Sequence, residues 1–376
     1  MKRIAVLGCG LIGATIVRDL ANDSEFAVRA VDVSEKALDG LAEHVERQQA
    51  DLSDQNEIRR VIANADVVVG AVPGRFGQAM LRTVIEAGKP ISDISFAPEN
   101  PLELDELAKE QRIAAVVDAG VSPGLSNLAV GRGDALLDVV EQATILVGGL
   151  PVPRYWPYEY RSVFSPTDVI EEYTRPARLV ENERVVTREA LSEVEMIDFD
   201  GIGTLEAFNT DGLRTLLDTV RAVNMKEKTL RYPGHVDRMR MMREAGFFSD
   251  EPVNVDGTEV VPRRLTETLM FSQWQRPANE EELTVLRVDV AGSSGGKARS
   301  YRFDLLDRTD LETGTSSMAR TTGFPCAIIA GLLARGEIGT SGVLPLEILG
   351  RDERLYERII AELERRGVKL EMRELI

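Results

Sequence analysis

The stretch Ile4-Ala5-Val6-Leu7-Gly8-Cys9-Gly10-Leu11-Ile12-Gly13-Ala14-Thr15-Ile16-Val17 decides the fold. An apolar run of strand length meets three glycines spaced G-x-G-x-x-G, and a helical pattern follows at once. Gly8 permits a tight turn. Gly10 has no side chain to hold a pyrophosphate off the backbone, and Gly13 lets the helix lie close to the strand. The unpaired N–H groups and positive end of that helix then face the phosphates of a dinucleotide. Gly8, Gly10, Leu11, Ile12 and Gly13 are therefore candidate cofactor contacts.

A second strand, Phe26-Ala27-Val28-Arg29-Ala30-Val31, ends at Asp32. A carboxylate at this distance accepts hydrogen bonds from the adenosine ribose hydroxyls and repels a 2′-phosphate. Val33 and Ser34 follow, with no arginine to welcome that phosphate, so NAD is the expected cofactor. The competing reading makes Asp32 a cap for a helix over residues 34–45.

Further on, apolar runs at 65–72, 90–94 and 113–119 alternate with helical patterns at 75–87 and 101–111. A weaker strand at 46–52 precedes a helix at 55–63. Such alternation predicts an α/β fold, a Rossmann-like doubly wound parallel sheet covered on both faces. Ligands of such sheets bind beyond the carboxyl ends of the strands. That places Asp51 and Leu52 near an adenine and Val72 and Pro73 near a nicotinamide ribose; Asp51 serves equally well as a helix cap.

The chain of 376 residues is long enough for two cores. The texture changes near residue 140, where strand candidates at 143–147, 177–180, 183–187 and 283–291 are separated by loops rich in Pro, Tyr and Arg. Helices are expected at 211–223, 236–245, 320–334 and 351–366. The division expected is a cofactor domain over 1–124, completed by 320–376, and a substrate-binding and dimerisation domain over 125–319. That second domain is expected to be α/β or α+β, with a mixed or antiparallel sheet.

A net charge of −17 argues against nucleic acid as a partner. Cys9, Cys326, His44 and His235 are the only cysteines and histidines, and no metal-ligand spacing links them. Lys2-Arg3 before an apolar run resembles a short signal peptide, but the glycine spacing explains the same residues better. Later apolar runs, such as 326–334, are too short to span a bilayer. The expectation is a cytoplasmic protein with no membrane partner.

Several turns could carry chemistry. Asp118-Ala119-Gly120-Val121-Ser122-Pro123-Gly124 ends the sixth strand, where Asp118 or Ser122 could face a substrate or Ser122 could merely cap a helix. Gly148-Gly149-Leu150-Pro151 leads into aromatics that could wall a pocket. Glu172-Tyr173-Thr174-Arg175, Phe208-Asn209-Thr210-Asp211-Gly212 and Thr229-Leu230-Arg231-Tyr232-Pro233-Gly234-His235 each place polar groups in a turn.

These strings, with GTLEAFNTDGLRTLL and SSMARTTGFPCAIIAGLL, resemble the saccharopine dehydrogenase family over nearly the whole chain, and within it most resemble the lysine 6-dehydrogenase branch. The resemblance implies a Rossmann domain plus an α/β substrate domain, a nicotinamide cofactor, a small amino-acid substrate and a homodimer. It implies NAD-dependent oxidative deamination of the ε-amino group of lysine to allysine, which cyclises, with release of ammonia. The family's carboxylate-gripping arginine falls near Arg175, its polar turn on Asn209, Thr210 and Asp211, and its Arg-Tyr-x-Gly turn on Arg231. Where saccharopine reductases carry an aspartate before Pro-Gly, this chain has Ser122.

Chemistry points to the same residues. Hydride leaves an amine carbon only when the nitrogen lone pair is free, so the ammonium must first lose a proton to a base. Asp93, Asp118 and His235 are the candidate bases. Arg175 is the candidate for the substrate α-carboxylate and Asp211 for the α-ammonium. No metal is required. The alternatives are a saccharopine dehydrogenase or related NAD(P)-dependent amino-acid oxidoreductase, and a non-catalytic NAD sensor.

Overall fold

The computed structural model describes residues 1–162, 166–277 and 280–375. The chain divides into two compact units. One comprises Met1–Asp138, Arg214–Val220 and Ala319–Glu371; the other comprises Val139–Leu213, Arg221–Met318 and the residues from Met372 onward.

In the first unit, β1 (Lys2–Leu7), β2 (Phe26–Asp32), β3 (Glu46–Gln49), β4 (Val67–Gly70), β5 (Ile91–Asp93) and β6 (Ala114–Val117) join a late strand, Gly342–Pro345. The order across the sheet runs from that late strand through β6, β5, β4, β1 and β2 to β3. Every pairing in it is parallel. All carboxyl ends therefore lie on one edge, and strand order reverses between β1 and β4. The strands read as apolar runs because both faces are covered: Val67, Val68, Val69, Ala115 and Val116 are all buried. Among the covering helices, Leu11–Ala21 buries Ile16, Val17 and Leu20.

The helix Ser317–Arg335 is long and apolar enough by composition to cross a membrane, but its residues Cys326, Ala327, Ile329, Ala330 and Leu332 are buried inside the protein. Ser92 in β5 donates its hydroxyl to the Cys326 carbonyl at 3.0 Å.

The second unit carries a nine-stranded mixed sheet. Its strands are β7 (Val139–Pro151), β8 (Ala177–Glu181), β9 (Arg184–Arg188), β10 (Glu195–Phe199), β11 (Gly203–Asn209), β12 (Ala222–Arg231), β15 (Glu282–Ser294), β16 (Lys297–Arg308) and β18 (Glu371–Leu375). A separate hairpin pairs β13 (Val253–Val255) with β14 (Thr258–Val260), and β17 is the late strand of the first sheet. In the large sheet β12 runs parallel to β7, while β15 runs antiparallel to both β7 and β16. Period-two alternation sends Phe208 to the face lined by Tyr173, Val236, Met239 and Trp274, and sends Leu205 and Ala207 to the face shared with Leu146, Leu230 and Leu283.

Five expectations are corrected here. The helix expected over 34–45 is one turn, Glu35–Leu38, ended before Gly40 at φ +75°. The helix expected over 211–223 is only Leu216–Thr219, and β12 begins at Ala222. The first-unit boundary lies at Asp138, not residue 124: Gly131 packs on the Glu347 carbonyl and Gly350 on the Leu128 carbonyl. A Cβ at either glycine would come within 2.1 or 2.2 Å of those oxygens, so helix Leu125–Leu136 is held against helix Leu346–Arg351. Segment 214–220, expected in the substrate domain, belongs to the first unit, and the end of the chain from Met372 belongs to the second.

Candidate functional site

The cofactor loop is built as its glycines require. Gly8 adopts φ +100°, and a Cβ there would stand 2.3 Å from the Ala71 carbonyl. A Cβ on Gly13 would meet the Gly8 carbonyl at 2.0 Å, so only glycine lets helix Leu11–Ala21 approach β1 this closely. A Cβ on Gly10 would meet nothing within 4 Å, which leaves open space above the loop. The helix has no side-chain cap and no acidic residue in its first turn, so its N–H groups remain available to an anion. Leu11 is exposed and Ile12 partly so.

Asp32 closes β2 beside this loop. Its Oδ2 accepts the Cys9 N–H at 2.7 Å and its Oδ1 the Ser34 N–H at 2.8 Å. The carboxylate thus holds the glycine loop in place and still has lone pairs for ribose hydroxyls. Val33 is exposed next to it. Asp51 accepts both the hydroxyl and the N–H of Ser53, at 2.7 and 2.9 Å, and these bonds hold its carboxyl below the usual range. Leu52 and Val72 are buried, and Pro73 precedes helix Gly74–Glu86. All of these follow the carboxyl ends of β1 to β4. The residues present fit a dinucleotide.

On the same edge, β5 and β6 end in two buried acids. Asp93 accepts the Ser95 N–H at 3.0 Å and lies against Gly70 of β4, where a Cβ would stand 2.2 Å from its Oδ1. Burial above all pushes the Asp93 carboxyl up to about 7; the Ser95 bonds oppose this, the Asp118 charge adds to it, and the Arg214 charge opposes it. Asp118 accepts from Arg214 Nε at 2.9 Å in a pair whose side chains are 3% and 6% exposed. Arg214 also donates to the Ala97 carbonyl at 2.6 Å and stacks over the Phe96 ring at 4.7 Å. Sequence reading passed over Arg214, although it stands three residues beyond Asp211. Ser122 lies partly exposed in the turn before helix Leu125–Leu136.

The second unit gathers another polar set on the helix-covered face of its sheet. His235 is 1% exposed, and both ring nitrogens are engaged: Nδ1 with the Tyr158 carbonyl at 3.1 Å and Nε2 with the Tyr173 hydroxyl at 2.9 Å. A carbonyl only accepts, so Nδ1 carries the proton and Tyr173 donates to Nε2. Burial first, and the Arg231 charge second, lower His235 to about 3. His235 is thus neutral and fully bonded, which corrects its candidacy as the base. Arg231 is buried, pairs with Glu172 at 2.5 Å and stacks over Tyr160 at 4.5 Å.

Thr210 donates to Glu227 at 2.5 Å and contacts the Thr229 hydroxyl at 2.9 Å. Burial chiefly pushes Glu227 up to about 8. Sequence reading missed Glu227, because a lone acid in a strand carries no motif. Asp211 receives both arms of Arg178 at 2.9 Å, so its charge is already matched in the second unit. Asn209 is set apart: it ends β11 on the opposite face and donates to Ser192 at 3.2 Å. Arg175, about one-third exposed, pairs with Glu171 of its own helix at 3.5 Å. The structure therefore joins Thr210, Arg231 and His235 on one face and leaves Asn209 off it, while Arg175 is engaged by Glu171.

A parallel sheet with a glycine loop, a free helix N-terminus and an acid closing β2 beside that loop defines a dinucleotide-binding protein of Rossmann type. Comparison with known proteins goes further. Residues 4–116 match the saccharopine dehydrogenase NADP binding domain, and residues 120–368 match the saccharopine dehydrogenase C-terminal domain. The chain belongs to the saccharopine dehydrogenase family.

It is 22% identical to an alpha-aminoadipic semialdehyde synthase of Arabidopsis thaliana, over 90% of this chain and 39% of that protein. The chain thus spans well under half the length of that relative. It is 19% identical to a saccharopine dehydrogenase [NADP(+), L-glutamate-forming] of Schizosaccharomyces pombe, over 99% and 98% of the two chains. The apo saccharopine dehydrogenase (L-Glu forming) from Saccharomyces cerevisiae shares the fold with a TM-score of 0.83 at 18% identity, over 100% of both chains. A homospermidine synthase from Legionella pneumophila in complex with NAD gives a TM-score of 0.67 at 11% identity, covering 100% of this chain and 91% of that one.

Proposed function

We propose that this protein is an NAD(P)-dependent oxidoreductase that acts on a carbon–nitrogen bond of an amino-acid substrate, a reading supported by its membership of the saccharopine dehydrogenase family. One observation carries the reading: a buried acid, Asp93, ends β5 on the same sheet edge as the glycine loop and Asp32; burial raises its proton affinity toward neutrality. NAD is the preferred cofactor, because Asp32 presents a carboxylate where a 2′-phosphate would sit.

A bound nicotinamide supplies the hydride acceptor. The chain supplies the rest. Asp93 takes the proton from the substrate nitrogen, which frees the lone pair that expels hydride from the neighbouring carbon. A carboxyl near pH 7 is matched to this task, since it is partly ionised at neutral pH and still basic enough to accept the proton. The resulting imine is then open to hydrolysis.

A second reading, deamination of the ε-carbon of lysine, is favoured by Ser122, which replaces the aspartate of the saccharopine reductases. Purified protein incubated with NAD or NADP and either saccharopine or L-lysine separates the two, with reduced cofactor and ammonia followed. Reduced cofactor with saccharopine alone supports the first reading; reduced cofactor and ammonia from lysine alone supports the second. Asp93→Asn should lower kcat by about 100-fold or more with whichever substrate is used. No turnover with any amino acid, despite cofactor binding, would refute both.

A further inference from the structure

Two residues that are not glycine face each other in left-handed backbone. Asp118 has φ 53° just after β6, and Arg214 has φ 46° where segment 214–220 begins. Each conformation costs about 1 kcal/mol. Their Nε–Oδ2 contact of 2.9 Å is almost wholly buried. Stability alone is a poor reason for such a pair, since apolar residues of similar volume serve as well. What the pair does have is a neighbour.

The groups acting on Asp93 come from several elements. Asp118 presents an anion just after β6, beside Ala119, whose N–H donates to the Asp93 carbonyl at 2.9 Å, and Arg214 presents a cation from segment 214–220, fixed on the Ala97 carbonyl four residues beyond Asp93. The Cys326 thiol, on the helix Ser317–Arg335, is pushed up to about 12, chiefly by burial, and stays uncharged. Ser95 carries no charge and supplies its N–H as a hydrogen-bond donor. The anion and the cation are locked together, and Arg214 is locked again by the Ala97 carbonyl and the Phe96 ring.

We propose that Asp118 and Arg214 are positioning residues for Asp93, a locked anion–cation couple that tunes the base without touching the substrate. The inference rests on the assignment of Asp93 as the base. Its test does not depend on that assignment, because Asp93 can be titrated directly in the cofactor-free chain by carbon-labelled aspartate NMR. The acidic limb of kcat/KM is measured in parallel.

Asp118→Asn leaves the Arg214 cation unopposed, so Asp93 should titrate about one pH unit lower. Arg214→Gln removes the cation and leaves the Asp118 carboxylate beside Asp93, so Asp93 should titrate about one pH unit higher. The double variant should fall between. A purely structural pair would lower Tm in each variant and leave the Asp93 titration unmoved, and that result overturns the proposal. Should Asp118→Asn fail to fold, Arg214→Gln decides by itself. Shifts of the expected sign in a protein that oxidises no amino acid would sink the functional reading and leave the couple standing.

Discussion

Replacing Asp32 by alanine tests the cofactor assignment most directly. The carboxylate has two jobs that the substitution separates. Inside the protein it accepts the Cys9 and Ser34 N–H groups, and Cys9 is only 3% exposed. Losing that acceptor strands a buried donor and costs about 1–3 kcal/mol, paid whichever cofactor binds. Toward the cofactor it would accept two ribose hydroxyls. Charge-assisted bonds of this kind contribute about 1.5 kcal/mol each, so about 3 kcal/mol of NAD affinity, or a factor of about 150, depends on them.

NADP has no 2′-hydroxyl to donate, keeps only the 3′-hydroxyl bond and is repelled by the charge. Its Kd should therefore move less than about tenfold, since loss of the anchored loop and relief of repulsion oppose each other. Calorimetric titration of Asp32→Ala with each cofactor reads the difference, and Asp32→Asn, which keeps one acceptor for the loop, separates anchoring from charge. Equal weakening toward NAD and NADP in Asp32→Ala would refute the reasoning and leave Asp32 as an anchor for two backbone amides.

Two further outcomes concern stability. His235 is held neutral with a folded value near 3, so below about pH 6.5 the unfolded chain takes up a proton that the folded one refuses. Its contribution to stability is complete above pH 6.5 and is lost as pH falls toward 3. Urea midpoints measured across that range should fall less steeply in His235→Gln than in the wild type, and parallel curves would contradict the assignment. Gly131→Ala drives a Cβ into the Glu347 carbonyl and should cost about 3 kcal/mol through the displaced helix pair, visible as a lower Tm. An unchanged Tm would show that helix Leu346–Arg351 moves freely.

The sequence alone determined the strands and the glycine loop of the first unit, though not its boundaries, and the reason is locality. Strand, glycine turn and helix lie within the first 21 residues; Gly13 is required by its contact with the Gly8 carbonyl, Gly8 by its contact with Ala71 beyond β4, and Gly10 leaves the loop open. Buried parallel strands must read as apolar runs, so they are legible one at a time. The acid proposed for the cofactor, Asp32, is legible from its place at the end of β2. Tertiary structure decided the rest. Asp93 is chemically unusual only because β4, β6 and segment 214–220 surround it. Arg214 carries no motif, and its value appears only when a seven-residue segment leaves the second unit's sequence and joins the first. His235 looked like a base by residue type and became a neutral hydrogen-bonding group once Tyr158 and Tyr173 closed on it. A side chain's identity is written locally, but its proton affinity depends on what burial and distant charges do to it, and those are set only when the chain has folded.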